Sequence, residues 1–249
     1  MNEILNVSTL QVPGFDEELA KVYRVHKCPP EGPVPAEARN VRALVTSGTN
    51  GAPAALLAQL PALEIIACVG VGYDAIDIPA ATGRRIAITN TPDVLTDDVA
   101  DLAIALMTMA ARQLAWGDRT VRAGGWKTKA SPLGAKVTGK RLGILGLGRI
   151  GRAIARRAEA MDMAISYTNR NKADVPYRFI PDIVSLARES DFLVLAASAG
   201  PQTRNIVNRA VLDALGPKGV LVNVARGSLV DEPEMVLALQ EGRLGGAAL

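Results

Sequence analysis

The stretch Leu142-Gly143-Ile144-Leu145-Gly146-Leu147-Gly148-Arg149-Ile150-Gly151 decides the fold. An apolar run of strand length ends in three glycines spaced as Gly-x-Gly-x-x-Gly, and an Ala- and Ile-rich helical pattern over 150–161 follows. By itself such a glycine pattern is a common turn. Between a strand and a helix it meets specific demands. The first glycine permits a tight turn, the second lets the backbone approach a pyrophosphate, and the third lets the helix pack on the strand. The helix N-terminus then faces the negative charge. The plain alternative is a strand–helix turn without a ligand.

Outward from this turn, strand-length apolar runs alternate with helix-length patterns, the mark of βαβ units and parallel sheets. Strands are predicted at 4–7, 41–46, 65–69 and 86–89, with helices at 52–60 and 79–83. A second series has strands at 141–145, 164–168, 192–196 and 220–224, with helices at 150–161 and 232–240. Thr91-Pro92-Asp93 interrupts the pattern, and one long helix is predicted over 97–121. The expected domains are 1–96 and 97–249.

Composition narrows the function. Net charge is +3 with acids and bases interspersed, so no nucleic-acid footprint is expected. Cys28 and Cys68 have no metal spacing, and no His/Cys cluster suggests a metal. They read as reduced thiols, and no secretory leader is visible, so a cytoplasmic location is expected. The most apolar helical stretch, 99–111, is too short for a bilayer and contains Asp101, so no membrane association is expected.

Dinucleotide sites that take NAD place an Asp or Glu about 20 residues beyond the glycines, on the ribose 2′-hydroxyl. Here that stretch reads Tyr167-Thr168-Asn169-Arg170-Asn171-Lys172, with no acid before Asp174. A carboxylate would repel a 2′-phosphate, whereas a guanidinium grips it with two hydrogen bonds. NADPH is therefore expected, with NADH possible but weaker; the alternative is a solvated surface arginine with loose preference. Asn223-Val224-Ala225-Arg226-Gly227 closes another apolar strand. Arg226 could hold an α-keto acid by its carboxylate and polarise the carbonyl, or it could cap a helix or pair with Asp231.

Taken in order, Val69-Gly70-Val71-Gly72-Tyr73-Asp74-Ala75-Ile76-Asp77, Asn90-Thr91-Pro92, the glycine turn, and Asn223-Val224-Ala225-Arg226-Gly227-Ser228-Leu229-Val230-Asp231 resemble the D-isomer-specific 2-hydroxyacid dehydrogenases. Asn169-Arg170 is similar to the NADPH-using glyoxylate/hydroxypyruvate reductase branch. The resemblance implies an α/β chain of two domains, flavodoxin-like then Rossmann, with the active site in the cleft between them. It implies that the N–H groups of Val71 and Gly72 bind the substrate carboxylate and that Arg226 orients the substrate. Gly146, Leu147, Gly148, Arg149, Ile150 and Gly151 would line the pyrophosphate, and Asn169, Arg170 and Lys172 the 2′-phosphate. Ser198 would lie near the adenosine, Thr96 near the nicotinamide, and the Val224 carbonyl would accept from the nicotinamide amide. The long helix and the Trp126 loop resemble the family's dimer arm, implying a homodimer.

The family's reaction also uses a histidine that supplies a proton and a glutamate that keeps it charged, in a Pro-His and a Glu-Pro segment. Neither segment is present in the 249 residues. The only histidine is His26, placed just after an early strand, and Glu232, Glu234 and Glu241 receive no role. The sequence closes on Gly245-Gly246-Ala247-Ala248-Leu249, which reads as the opening of another buried strand. The expectation is a truncated chain whose last strands and C-terminal helix are missing. Three functions stay open: a small 2-keto acid reductase, a non-catalytic NADP(H)-binding protein, and a family member acting on formate or phosphite.

Overall fold

The computed structural model describes residues 2–249, and the chain divides into two compact units, Met1–Leu95 and Thr96–Leu249. The first unit runs β1 (Asn2–Asn6), α1 (Phe15–Val22), β2 (Tyr23–Lys27), β3 (Ala43–Ser47), α2 (Ala54–Ala58), β4 (Ile65–Val69), α3 (Ile78–Gly83) and β5 (Ala87–Thr89). Its five strands pair in the order β2-β1-β3-β4-β5, all parallel. That is the flavodoxin-like order, which places the reversal of strand order between β1 and β3. Leu5, Leu44, Leu56, Leu57, Leu60 and Ile66 form its core.

The second unit runs α4 (Thr96–Ala111), α5 (Leu114–Arg122), β6 (Arg141–Leu145), α6 (Arg149–Glu159), β7 (Ala164–Thr168), β8 (Arg178–Phe179), α7 (Ile183–Arg188), β9 (Phe192–Leu195), α8 (Arg209–Leu215), β10 (Val220–Asn223), α9 (Glu232–Gln240) and β11 (Gly246–Ala248). Its parallel sheet has the order β11-β10-β9-β6-β7-β8, with the reversal between β6 and β9. All four residues of β9 are buried, because helices cover both faces of the sheet. Two parallel doubly wound sheets, flavodoxin-like and then Rossmann, are the fold class expected from sequence.

Three local expectations need correction. The single helix over 97–121 is two helices bent by 69°. Gln113 has a left-handed φ of 56°, which breaks the hydrogen-bond ladder after α4. His26 lies inside β2 rather than after a strand. β11 is half-buried, not buried. Three helices, α1, α7 and α8, were not expected from sequence. Asp182 caps α7 through the Ser185 N–H at 2.8 Å, and Asn208 caps α8 through the Ala210 N–H at 3.0 Å. Among the described residues, no single helix is long and apolar enough to cross a membrane.

The starts of β6 and β9 are tied by one ion pair. Asp191 accepts from the Arg141 backbone N–H at 2.9 Å and from its guanidinium at 2.9 and 3.2 Å. These bonds from Arg141 hold the Asp191 carboxyl below the usual carboxylate range. Its folded pKa is depressed, so its contribution is present above the unfolded value of about 3.9 and is lost as pH falls through the folded value. Because Arg141 is half-exposed, Asp191→Asn is expected to cost only about 0.5–1 kcal/mol at neutral pH. The gap between wild type and variant should close below about pH 4; a urea-unfolding series across pH measures it.

Candidate functional site

Three parallel strands end side by side where the glycine turn emerges. The Gly146 N–H donates to the Thr168 carbonyl at 3.0 Å, and the Ala196 N–H to the Leu145 carbonyl at 2.8 Å. The turn is packed from below. A Cβ on Gly146 would come within 2.6 Å of the Ala197 backbone, and one on Gly151 within 2.1 Å of the Gly146 carbonyl oxygen. Gly146 also has φ +95°, a conformation that glycine adopts without strain. Gly148 differs: nothing lies within 4 Å of where its Cβ would be, and it is exposed at the start of α6. Two glycines are therefore demanded by the fold and one is left facing open space. That is the cradle a pyrophosphate requires, with the first N–H groups of α6 above it.

Around this turn the structure gathers most of the predicted cofactor residues. Asn169, just after β7, accepts the Leu147 N–H on Oδ1 at 2.7 Å, so it fixes the turn from the neighbouring strand. Leu147 is buried, while Arg149 is exposed and Ile150 half-buried at the opening of α6. Arg170 and Lys172 are exposed in the loop after β7. The path of that loop is set from below. The Tyr167 ring is fully buried, its hydroxyl donates to the Ala173 carbonyl at 3.1 Å, and it accepts the Ala173 N–H at 2.9 Å. Arg170 also donates to Gln202 Oε1 at 3.3 Å, a partner in the loop after β9 that sequence reading missed. A loop partner at a separation of 32 residues leaves no local sequence signal.

Ser198 is exposed in that same loop, and its carbonyl accepts from the Thr203 hydroxyl at 3.0 Å. Val224 follows β10, tied to β9 by its N–H to the Leu195 carbonyl at 3.3 Å. Asn223 shapes the next turn: Oδ1 accepts the Ala225 N–H at 2.9 Å, and Nδ2 donates to the Arg226 carbonyl at 2.9 Å. This turn presents Arg226, half-buried, in a recess with Met235 and Leu249. The expected alternative partner, Asp231, instead caps α9 by accepting the Glu234 N–H at 3.3 Å. Thr96 opens α4. From β7 to β10 these groups span three strand spacings, about 14 Å, a length suited to an extended dinucleotide.

In the first unit, Val71 and Gly72 follow β4 and are half-buried. Neither N–H meets an acceptor among the described residues. His26 is elsewhere. It is 9% exposed on the edge strand β2, with Nε2 3.3 Å from Glu3 Oε2. Two strands, β1 and β3, separate β2 from β4, a distance of about 14 Å. The structure thus does not bring His26 to the Val71 loop. Glu234 and Glu241 both bind Arg243, which also pairs with Asp213, and these bonds push the arginine pKa up. Among the described residues, no group of three His, Cys, Asp or Glu side chains could hold a metal ion.

Comparison with known proteins agrees with this geometry. Residues 104–249 match the family described as D-isomer specific 2-hydroxyacid dehydrogenase, NAD binding domain. Glyoxylate/hydroxypyruvate reductase A of Arabidopsis thaliana is 53% identical over 211 residues, covering 84% of this chain and 67% of the relative. The 2-ketogluconate reductase of Gluconobacter oxydans is 42% identical over 248 residues, covering 99% of this chain and 80% of the relative. Among solved structures, an NADPH-dependent glyoxylate/hydroxypyruvate reductase from Sinorhizobium meliloti, in complex with NADP and malonate, superposes with a TM-score of 0.93. It is 40% identical, and the match covers 99% of this chain and 78% of that one.

Proposed function

Because the chain belongs to the D-isomer-specific 2-hydroxyacid dehydrogenase family, we propose that it binds NADPH and reduces a small 2-keto acid of the glyoxylate/hydroxypyruvate type to the D-2-hydroxy acid. The end of β7 carries this reading. Asn169 braces the glycine turn, and Arg170 stands where a carboxylate would otherwise select NADH. When bound, NADPH supplies the hydride. The chain's own residues do the rest of the positioning. The N–H groups of Val71 and Gly72 receive the substrate carboxylate. Arg226 pairs with the same carboxylate and draws charge toward the keto oxygen as it becomes an alkoxide. Ser198 would hold the adenosine, Thr96 and the Val224 carbonyl would hold the nicotinamide, and Lys172 would add a second positive charge near the 2′-phosphate.

The proton for the keto oxygen is the point on which a second reading stands. His26, the only histidine in the 249 residues, is buried in β2 against Glu3. That observation favours an NADP(H)-binding protein without turnover. NADPH oxidation by the purified chain, with hydroxypyruvate and glyoxylate as substrates, separates the two. Turnover above a no-substrate control supports the reductase, with water as the proton source. NADPH binding without turnover supports the second reading. Failure to bind NADPH sinks both. The exposed Leu102, Met109, Leu114, Val121 and Trp126 on and after α4 and α5 support a homodimer, and cysteines kept as thiols at 28 and 68 support a cytoplasmic protein.

A further inference from the structure

The Asn90-Thr91-Pro92 segment follows β5, next to the end of β4, and has no part in the chemistry described so far. It makes three hydrogen bonds to the loop after β4. The Gly70 N–H donates to Thr91 Oγ1 at 3.0 Å, and the Thr91 N–H donates to the Gly70 carbonyl at 2.9 Å. Asn90 Nδ2 donates to the Val71 carbonyl at 2.9 Å.

The consequence follows from peptide planarity. A carbonyl and the N–H of the next residue lie in one rigid trans plane and point in opposite directions. Fixing the Gly70 carbonyl therefore fixes the direction of the Val71 N–H. Fixing the Val71 carbonyl fixes the Gly72 N–H. Gly70, at φ +132°, and Gly72 lack the Cβ that would restrict rotation, so without these bonds both planes could turn. Pro92 disfavours a helical backbone at Thr91 and so narrows the conformations open to this short segment.

We propose that Asn90 and Thr91 are positioning residues that aim the Gly72 and Val71 N–H groups at the substrate carboxylate. This rests on the assignment of those N–H groups to substrate binding. Asn90 controls one plane and Thr91 the other, so the two contributions are separable. Preorganised donors of this kind bind an anion without first paying the entropy of ordering a loop.

The test is an amide-resolved NMR titration of the NADP-bound chain with malonate. In wild type, the Val71 and Gly72 amide signals are expected to shift together. Asn90→Leu removes only the bond to the Val71 carbonyl. It should raise the malonate Kd at least five-fold and abolish the Gly72 shift while the Val71 shift persists. Thr91→Val leaves the Thr91 N–H on the Gly70 carbonyl but removes the hydroxyl that holds the Gly70 N–H, and so frees the plane before Gly70 and loosens the glycine from which the Val71 N–H is aimed. It should raise the Kd at least three-fold, and Thr91→Ser should restore it, because serine keeps the hydroxyl. NADPH affinity, carried by residues of the other unit, should stay unchanged in each variant and reports that the chain is folded. If the wild-type amides do not respond to malonate, the substrate-loop assignment fails, and this inference with it. If they respond and Asn90→Leu binds as wild type does, with its Gly72 shift intact, the inference alone is overturned. Should Asn90→Leu not fold, the Thr91 pair decides: equal Kd values for Val and Ser overturn it.

Discussion

Gly151→Ala is expected to cost the second unit about 3 kcal/mol, at the upper end of what overpacking does, and Gly148→Ala almost nothing. The two glycines sit three residues apart in one turn, yet their surroundings are opposite. At Gly151 the added methyl would lie 2.1 Å from the Gly146 carbonyl oxygen. That atom is held in place, because the Leu147 N–H in the same peptide plane is tied to Asn169 Oδ1 at 2.7 Å. At Gly148 the methyl meets nothing within 4 Å. Its φ of −80° suits any residue, so the substitution is neutral or slightly stabilising through the unfolded chain. The functional effects invert this order. Gly148→Ala should retain its unfolding midpoint and lose NADPH affinity at least ten-fold, because the methyl occupies the approach of the pyrophosphate. Thermal unfolding, in which 3 kcal/mol is roughly 6–12 °C at this size, together with fluorescence titration, reads both. A Gly148→Ala protein that bound NADPH at wild-type strength would remove the pyrophosphate from this turn.

Arg170→Asp should reverse the cofactor preference. A charge-assisted hydrogen bond to a phosphate is worth about 1.5–3 kcal/mol, and an aspartate in its place adds repulsion of about 1 kcal/mol when hydrated. The NADPH/NADH affinity ratio should therefore fall about 100-fold or more, most of it through weaker NADPH binding. Gln202 refines the expectation. It holds the guanidinium at 3.3 Å, so Gln202→Ala should leave NADH binding intact and weaken NADPH about two- to three-fold, through lost orientation rather than lost charge. Raising the salt concentration should shrink the Arg170 effect, since the side chain is exposed. An unchanged ratio in Arg170→Asp would show that the 2′-phosphate is held elsewhere.

Much of the fold was legible because parallel strands covered on both faces are written as short apolar runs. β4, β6 and β7 have the bounds their sequences suggest. Where the chain lacks that signature, sequence reading loses it. β2 is an edge strand reading Tyr-Arg-Val-His-Lys, polar enough to pass for a loop. The break at Gln113 uses a left-handed non-glycine residue, which leaves no mark in the pattern of a helix. The candidate site divides the same way. Its glycines and Arg170 announce themselves through spacing. The residues that hold them, Tyr167, Gln202, Asn90 and Thr91, act through hydrogen bonds to partners that only the topology brings near. Asn90 and Thr91 were visible as a motif, but sequence alone gave no reason for it.

The loop after β7 is built like a socket with an exchangeable insert. Its far end is pinned at Ala173 by the hydroxyl of a tyrosine buried in the core, and its near end by the last residue of the strand, Thr168, whose hydroxyl donates to the Ile180 carbonyl at 2.6 Å. Neither anchor uses a side chain from 170 to 172. Changes at those positions are therefore shielded from the folding energy of the domain, and variants there can be sampled at little cost to the host. A lineage on this scaffold could drift between reducing currencies by replacing three surface residues, whereas losing the Tyr167 hydroxyl would disorder the insert whatever its sequence.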